Sequence, residues 1–158
     1  MVPKSHRELP AIGWREWVAL PALGIAAIKT KVDTGARSSA IHAFNVSVVR
    51  RGGRDIVQFH VHPLQHNAKI AVAAEAELVE YRQVRNSGGQ QTLRPVILTE
   101  LALLDRIWTI ELTLAGRDAM GFRMLQGREA LRRRVVVNPG RSYLAGRPAK
   151  GGGMRDER

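Results

Sequence analysis

A chain of 158 residues, 44% apolar and 25% charged, fits one globular domain whose core needs no covalent staples, and it is too short for two full domains. Its apolar runs stop well short of the roughly twenty residues that cross a bilayer, MVPKSHRELP lacks the apolar stretch of a secretory signal, and the absence of cysteine excludes disulfides and thiolate metal sites. A cytoplasmic protein with no membrane partner is expected. The net charge is +11, and arginine supplies 20 of the 25 basic side chains. Guanidinium binds carboxylate and phosphate in bidentate fashion, so acidic peptides and nucleic acids both suit this surface, as does a basic surface with no ligand.

In chain order, residues 1–9 read as a tail ahead of a domain at 10–147. Ile25 to Val32 alternates imperfectly and runs straight into Asp33-Thr34-Gly35. Phe44, Val46 and Val48 alternate with Asn45 and Ser47, and Gly52 and Gly53 then supply the positive φ of a tight hairpin. From Ile56 to His62, Val57, Phe59 and Val61 face one way and Gln58, His60 and His62 the other, which predicts a half-buried strand paired with the one before it. AEAELVEYRQV has helix-forming composition. It leads, however, into RNSGGQQTLRPVIL, whose Asn86–Gly89 turn cluster and β-favouring flanks predict a long hairpin instead. Trp108, Ile110, Leu112 and Leu114 alternate with Thr109, Glu111 and Thr113 in the clearest strand of the chain, ending at a Gly116–Asp118 turn. A short helix is expected over Gly127–Arg133, with Glu129 in its first turn and Arg132 and Arg133 in its last, as the helix dipole favours. Residues 148–158 are Gly-rich and charged and read as a disordered tail. Many short strands, hairpin turns and one helix imply an all-β protein, a small closed barrel.

Asp-Thr-Gly after a strand is open to two readings. It is a turn signature, since Asp forms Asx turns and Gly supplies positive φ. It is also the loop on which aspartic peptidases carry their carboxylate. Two carboxylates about 3 Å apart share one proton, so that one activates water while the other protonates the scissile carbonyl. Thr34 adds a hydroxyl able to brace an opposing loop, and Gly35 lets the backbone pass close by.

VDTGARSSAIHA, Arg94 to Ile97 after a glycine-tipped hairpin, GFRMLQGREAL and RVVVNPGRSYL together resemble the bacterial retropepsin-like aspartic peptidases that carry the label ATP-dependent zinc proteases and accompany ATP-grasp ligases. The resemblance covers residues 12 to 146. It implies a single-lobe, pepsin-like β-barrel with a flap hairpin over the cleft. It further implies that Asp33, Thr34 and Gly35 carry catalysis. Ala36, Arg37 and the flap tip, Ser87, Gly88 and Gly89, would contact substrate, and Gly127 and Arg128 would support the loop. A retropepsin lobe holds one such loop, and Asp55, Asp105, Asp118 and Asp156 fall elsewhere in the chain. The resemblance therefore implies a homodimer in which Asp33 of each copy meets at a two-fold axis. In the family the supporting arginine pairs with an acid just after the loop; here Arg37 and Ser38 stand there. That substitution implies a preference for acidic peptide or protein substrates, and the ligase association extends it to glutamate-rich tails; an Arg37 that simply points into solvent is the alternative.

Zinc and ATP find no matching motif: the sequence has no HExxH helix and no Walker A glycine loop, so no cofactor and no metal is expected. His60, His62 and His66 are at most a weak metal site, and His42 lies near the loop in sequence. Two other functions stay open. One is a basic barrel that binds nucleic acid through Arg50, Arg51, Arg54 and Arg132 to Arg134, disfavoured because aromatics are only 5% and form no stacking stripe. The other is a non-catalytic dimeric peptide-binding module.

Overall fold

The computed structural model describes residues 8–64, 67–85, 88–116 and 121–146, and its regular structure is almost entirely β. The strands are β1 (Ala11–Gly13), β2 (Arg15–Leu20), β3 (Ile25–Asp33), β4 (Ser39–His42), β5 (Phe44–Arg51), β6 (Arg54–Val61), β7 (Val72–Arg85), β8 (Gln91–Leu103), β9 (Arg106–Ala115), β10 (Met124–Gly127) and β11 (Val136–Asn138), with one α-helix, α1 (Arg128–Leu131). Nine strands pair in the order β2-β3-β10-β4-β9-β8-β7-β6-β5, while β1 and β11 form a separate parallel pair. One further pair, Ala19 with Ala102, joins β2 to β8, so six strands pair in a ring. Inside it Ile28, Ile41, Ile97, Leu101, Leu112 and Met124 are fully buried. Each such side chain contributes about 1.5–3 kcal/mol through its removal from water. Among the described residues no helix is long and apolar enough to cross a membrane.

Period-two patterning overrides helix propensity in β7. Val72, Ala74, Ala76 and Leu78 pack against the core, while Glu75 and Glu77 between them reach across to Arg51 and Arg54 on the neighbouring hairpin. The long hairpin expected from AEAELVEYRQV is thus β7–β8, with Tyr81 opposite Pro95 and Arg85 opposite Gln91. The β5–β6 hairpin turns at Gly52 and Gly53, both at positive φ. β5 itself departs from the expected alternation: Asn45 has φ +53°, the register shifts between Phe44 and Ser47, and Val46 and Val48 end up 42% and 39% exposed. A bulge resets which face a strand buries. The helix is shorter than expected, because Gly127 closes β10 and Arg132 leaves helical geometry. Of the Gly116–Asp118 turn, residues 117 and 118 lie outside the described residues, as do residues 1–7 and 148–158 of the two tails.

One buried charge organises the edge of the ring. Glu16 is completely buried in β2, and its carboxylate accepts N–H donors from Gly13 at 2.7 Å, Leu144 at 2.8 Å and Ala145 at 3.1 Å. Around it, Trp14 N–H donates to Arg141 O, Tyr143 N–H donates to Arg15 O, and a Cβ on Gly13 would stand 2.2 Å from Arg141 O. The 139–146 segment is therefore pinned on the first two strands by backbone donors converging on one acidic side chain. Glu16→Gln turns an N–H toward donors that need an acceptor, and we expect it to lower the unfolding free energy by about 1.5–3 kcal/mol in urea titration, the range for hydrogen bonds to a charged group. An unchanged midpoint would show that the segment is held by other contacts.

Candidate active site

Asp33 ends β3, and the parallel pairing of β3 with β10 sets it opposite Gly127. The chain then turns on the carboxylate itself. Gly35 N–H donates to Asp33 Oδ1 at 3.0 Å, and Ala36 N–H donates to the Asp33 carbonyl at 3.1 Å. Both readings of the tripeptide are therefore compatible, since the Asx turn occupies one carboxylate oxygen and leaves the other without a partner among the described residues.

The loop after Asp33 lies directly on β10 and α1. A Cβ at Gly127 would fall 2.5 Å from Ser38 O and 2.8 Å from the Arg37 carbonyl carbon, so only glycine permits this approach. Gly127 N–H donates to Ser39 Oγ at 3.0 Å, Arg128 N–H to Ala36 O at 2.8 Å and Glu129 N–H to Arg37 O at 3.2 Å. The first N–H groups of a helix have no partner within it, and here the loop's carbonyls fill them. Arg128 Nη1 adds a bond to Gly35 O at 3.1 Å, so the arginine that lacks an acidic partner in the sequence grips a backbone carbonyl of the same loop. From the other side, Trp108 Nε1 donates to Ala130 O at 2.9 Å, and Val32 N–H donates to Trp14 O at 2.8 Å.

Two cavities flank the loop, each of about 500 Å³. Arg37, Ser38, Arg82, Glu111 and Glu129 border the first. Arg82, on the hairpin stem, reaches Glu111 at 2.9 Å and also pairs with Glu80, and these carboxylates raise its pKa above the ordinary guanidinium value. Arg37 is exposed, and its guanidinium has no hydrogen bond or ion pair among the described residues. The second cavity is more apolar, with Thr34, Arg128, Leu131, Val136 and Val137 on its wall. Asp33, Gly35, Ala36, Gly127 and Arg128 are thus brought together, with Thr34 and Arg37 opening onto opposite cavities. Gly88 and Gly89, the latter at φ +87°, stand at the exposed tip of the β7–β8 hairpin and border neither cavity; Ser87 lies outside the described residues.

Sequence reasoning missed the roles of Ser39, Arg82, Glu111 and Glu16; Ser39 alone sits in a motif, and each acts on a partner that is distant along the chain. The histidines are placed differently from a metal cluster. His60 and His62 flank the Phe44 ring, with centroids at 5.5 and 4.3 Å, and His62 Nδ1 lies 3.1 Å from Ile70 O. His66 lies outside the described residues, among which no three His, Asp or Glu side chains group as metal ligands. His42 Nδ1 is 3.4 Å from Arg123 Nη1.

A family model described as retropepsin-like aspartic endopeptidase RimB matches residues 11–148. A probable alpha-L-glutamate ligase of Shewanella pealeana is 44% identical over 135 residues, 85% of this chain and 30% of its own length. One of Desulfotalea psychrophila is 45% identical over 139 residues, 88% of this chain and 30% of its own. The chain therefore spans about 30% of the length of these relatives. The crystal structure of a Legionella pneumophila protein of unknown function is similar with a TM-score of 0.69 and 26% identity, over 86% of this chain and 98% of that one.

The glycine contact yields a direct test. Gly127→Ala should lower the unfolding free energy by about 1–3 kcal/mol, the usual cost of forcing an atom into packed space. Gly116→Ala, where an added Cβ meets nothing within 4 Å, should cost less. Equal midpoints for the two variants in urea would rule out the close approach.

Proposed function

Because the chain belongs to the RimB-like family of retropepsin-like aspartic endopeptidases, we propose that it hydrolyses peptide bonds with a water held between Asp33 of one copy and Asp33 of a second. The observation that carries this reading is the presentation of Asp33: a carboxylate at a strand end, one oxygen fixed by Gly35 N–H and the other without a partner among the described residues, on a loop whose carbonyls are held by Arg128 and Glu129 against the close approach of Gly127. Such a loop holds its reacting group at low conformational cost. The ionised carboxylate takes a proton from water as the oxygen attacks the scissile carbonyl carbon. The protonated carboxyl gives its proton to the carbonyl oxygen. The tetrahedral diol then collapses: one hydroxyl returns its proton to the dyad as the C=O re-forms, the C–N bond breaks and the amine leaves with the other dyad proton, which restores the singly protonated pair. Among the described residues the other aspartates stand elsewhere, Asp55 paired with Arg50 at the β5–β6 hairpin and Asp105 in the β8–β9 turn, so a second copy would supply the other acid. Thr34, facing outward beside the apolar second cavity, suits the junction between copies.

The substrate class follows from charge. The exposed Arg37 guanidinium beside Ser38, with no ion pair among the described residues, suits a carboxylate, and the net charge of +11 draws acidic chains. Relatives named as glutamate ligases contain a segment like this chain, which favours glutamate-rich peptides or tails as substrate. The β7–β8 hairpin, anchored to β9 through Arg82 and Glu111, closes over the bound chain and excludes water.

Asp33→Asn should reduce kcat/KM by about 10³-fold or more in a peptide-cleavage assay while keeping the wild-type melting temperature, since it removes one of the two proton-transfer groups. Excess Asp33→Asn protein mixed into wild type should suppress turnover by capturing active subunits in mixed dimers; undiminished turnover would exclude a shared dyad. Poly-glutamate should be cleaved faster than a neutral peptide of equal length, and Arg37→Glu should erase that difference. Equal rates on both peptides for the wild-type protein would exclude the acidic preference.

A further inference from the structure

The charge of +11 is unevenly distributed over the fold. The three arginines around the Gly52–Gly53 turn are neutralised in place: Arg50 pairs with Asp55 at 3.0 Å, Arg51 with Glu75 at 2.7 Å and Arg54 with Glu77 at 3.3 Å. Glu75 is correspondingly held below the usual carboxylate range by its hydrogen bond to Arg51. A second cluster, absent from any one stretch of sequence, forms where the start of β9 meets the end of α1. Arg106 and Arg134 both lie over the Trp108 ring, at 5.5 and 4.8 Å from its centroid, and Arg106 Nη2 donates to Arg134 O at 2.8 Å. Arg132 and Arg133 are exposed beside them. Two carboxylates belong to this neighbourhood: Glu129, paired with Arg132 at 3.2 Å, and Asp105, in the turn before Arg106. Arg106, Arg133 and Arg134 have no carboxylate partner among the described residues.

We propose that Arg106, Arg133 and Arg134, with Arg132 at their edge, form a docking surface for the phosphate backbone of a nucleic acid. Two features select this partner. Placement over a buried indole restrains two exposed guanidinium groups before any ligand arrives, which lowers the entropic cost of binding. Counterion release rewards contact with the polyanion of highest charge density, and phosphate backbones hold one charge every few ångströms. The low aromatic content argues against base stacking but not against backbone contact, so binding is sequence-independent. The surface lies outside the Asp33 loop, so it stands or falls independently of peptide hydrolysis.

The test is fluorescence anisotropy of the full chain with a labelled 20-nucleotide poly-uridylate and a labelled duplex of the same length, from about 50 to 200 mM salt. Binding should weaken with salt, with a log–log slope of magnitude about 2–4, as three or four phosphate contacts require. Arg133→Gly is the cleanest variant, because Arg133 has φ +66°, a conformation glycine adopts freely, so the charge is removed without disturbing the backbone. It should lower the slope by about 0.7–0.9 and leave peptide cleavage unchanged, and adding Arg134→Gln should weaken binding about tenfold or more at low salt. Substituting Arg50, Arg51 and Arg54 by glutamine should change binding less than the Arg133/Arg134 pair does. The proposal is overturned if neither oligonucleotide binds at 50 mM salt, or if the Arg133→Gly/Arg134→Gln protein binds as wild type does. It is equally overturned if unlabelled poly-glutamate at equal charge competes as well as unlabelled poly-uridylate, which would assign the surface to acidic polypeptides.

Discussion

The Asp33 loop depends on a side chain that is missing. At Gly127 the backbone of β10 passes so close to Arg37 and Ser38 that no Cβ fits. That approach lets the N–H groups of Arg128 and Glu129 reach the carbonyls of Ala36 and Arg37, and lets the Arg128 side chain reach Gly35. In this way a four-residue helix, too short to be stable alone, gains partners for its unpaired donors, while the loop gains a rigid floor. Each half of the contact satisfies the other's backbone, and Asp33 inherits the resulting geometry through its pairing with Gly127.

The surrounding ring keeps this contact in register. β10 is held between β3, parallel, and β4, antiparallel, and β4 in turn lies parallel to β9, so four strands distant in sequence converge behind the loop. Trp108 ties the near end of β9 to α1, and Glu16 fastens the C-terminal segment over the strands that precede β3. A buried carboxylate without a cation is ordinarily costly; three backbone donors make Glu16 a fastener instead. These polar contacts lie at the edges of an apolar interior, where they specify which strands meet without interrupting the packing.

Charge is handled by two different rules on the same molecule. On the β5–β6–β7 sheet, cross-strand partners neutralise Arg51 and Arg54, which favours a well-ordered hairpin. Around the Asp33 loop and the end of α1, Arg37, Arg106, Arg133 and Arg134 lack carboxylate partners among the described residues and are presented outward. Arg51 and Arg54 are thus absorbed into the fold, while Arg37, Arg106, Arg133 and Arg134 keep exposed charge for a ligand.

Strand positions were legible wherever a side-chain period of two ran unbroken, as in β6 and β9, because alternation is a property of adjacent residues. The Asp-Thr-Gly loop and the Gly127–Arg128 support were legible from their motifs, and so was the β7–β8 hairpin, whose turn cluster and β-favouring flanks outweighed its helix-forming composition. β5 was only half legible, since a bulge at Asn45 changes the buried face without changing the local pattern. The roles of Glu16, Ser39 and Arg82, and the stacking of Arg106 and Arg134 on one indole, were decided by tertiary structure alone. Glu16 with Leu144, Ser39 with Gly127, Arg82 with Glu111 and Arg134 with Trp108 are pairs that only the tertiary fold brings within about 3 to 5 Å, and no spacing along the chain encodes that distance.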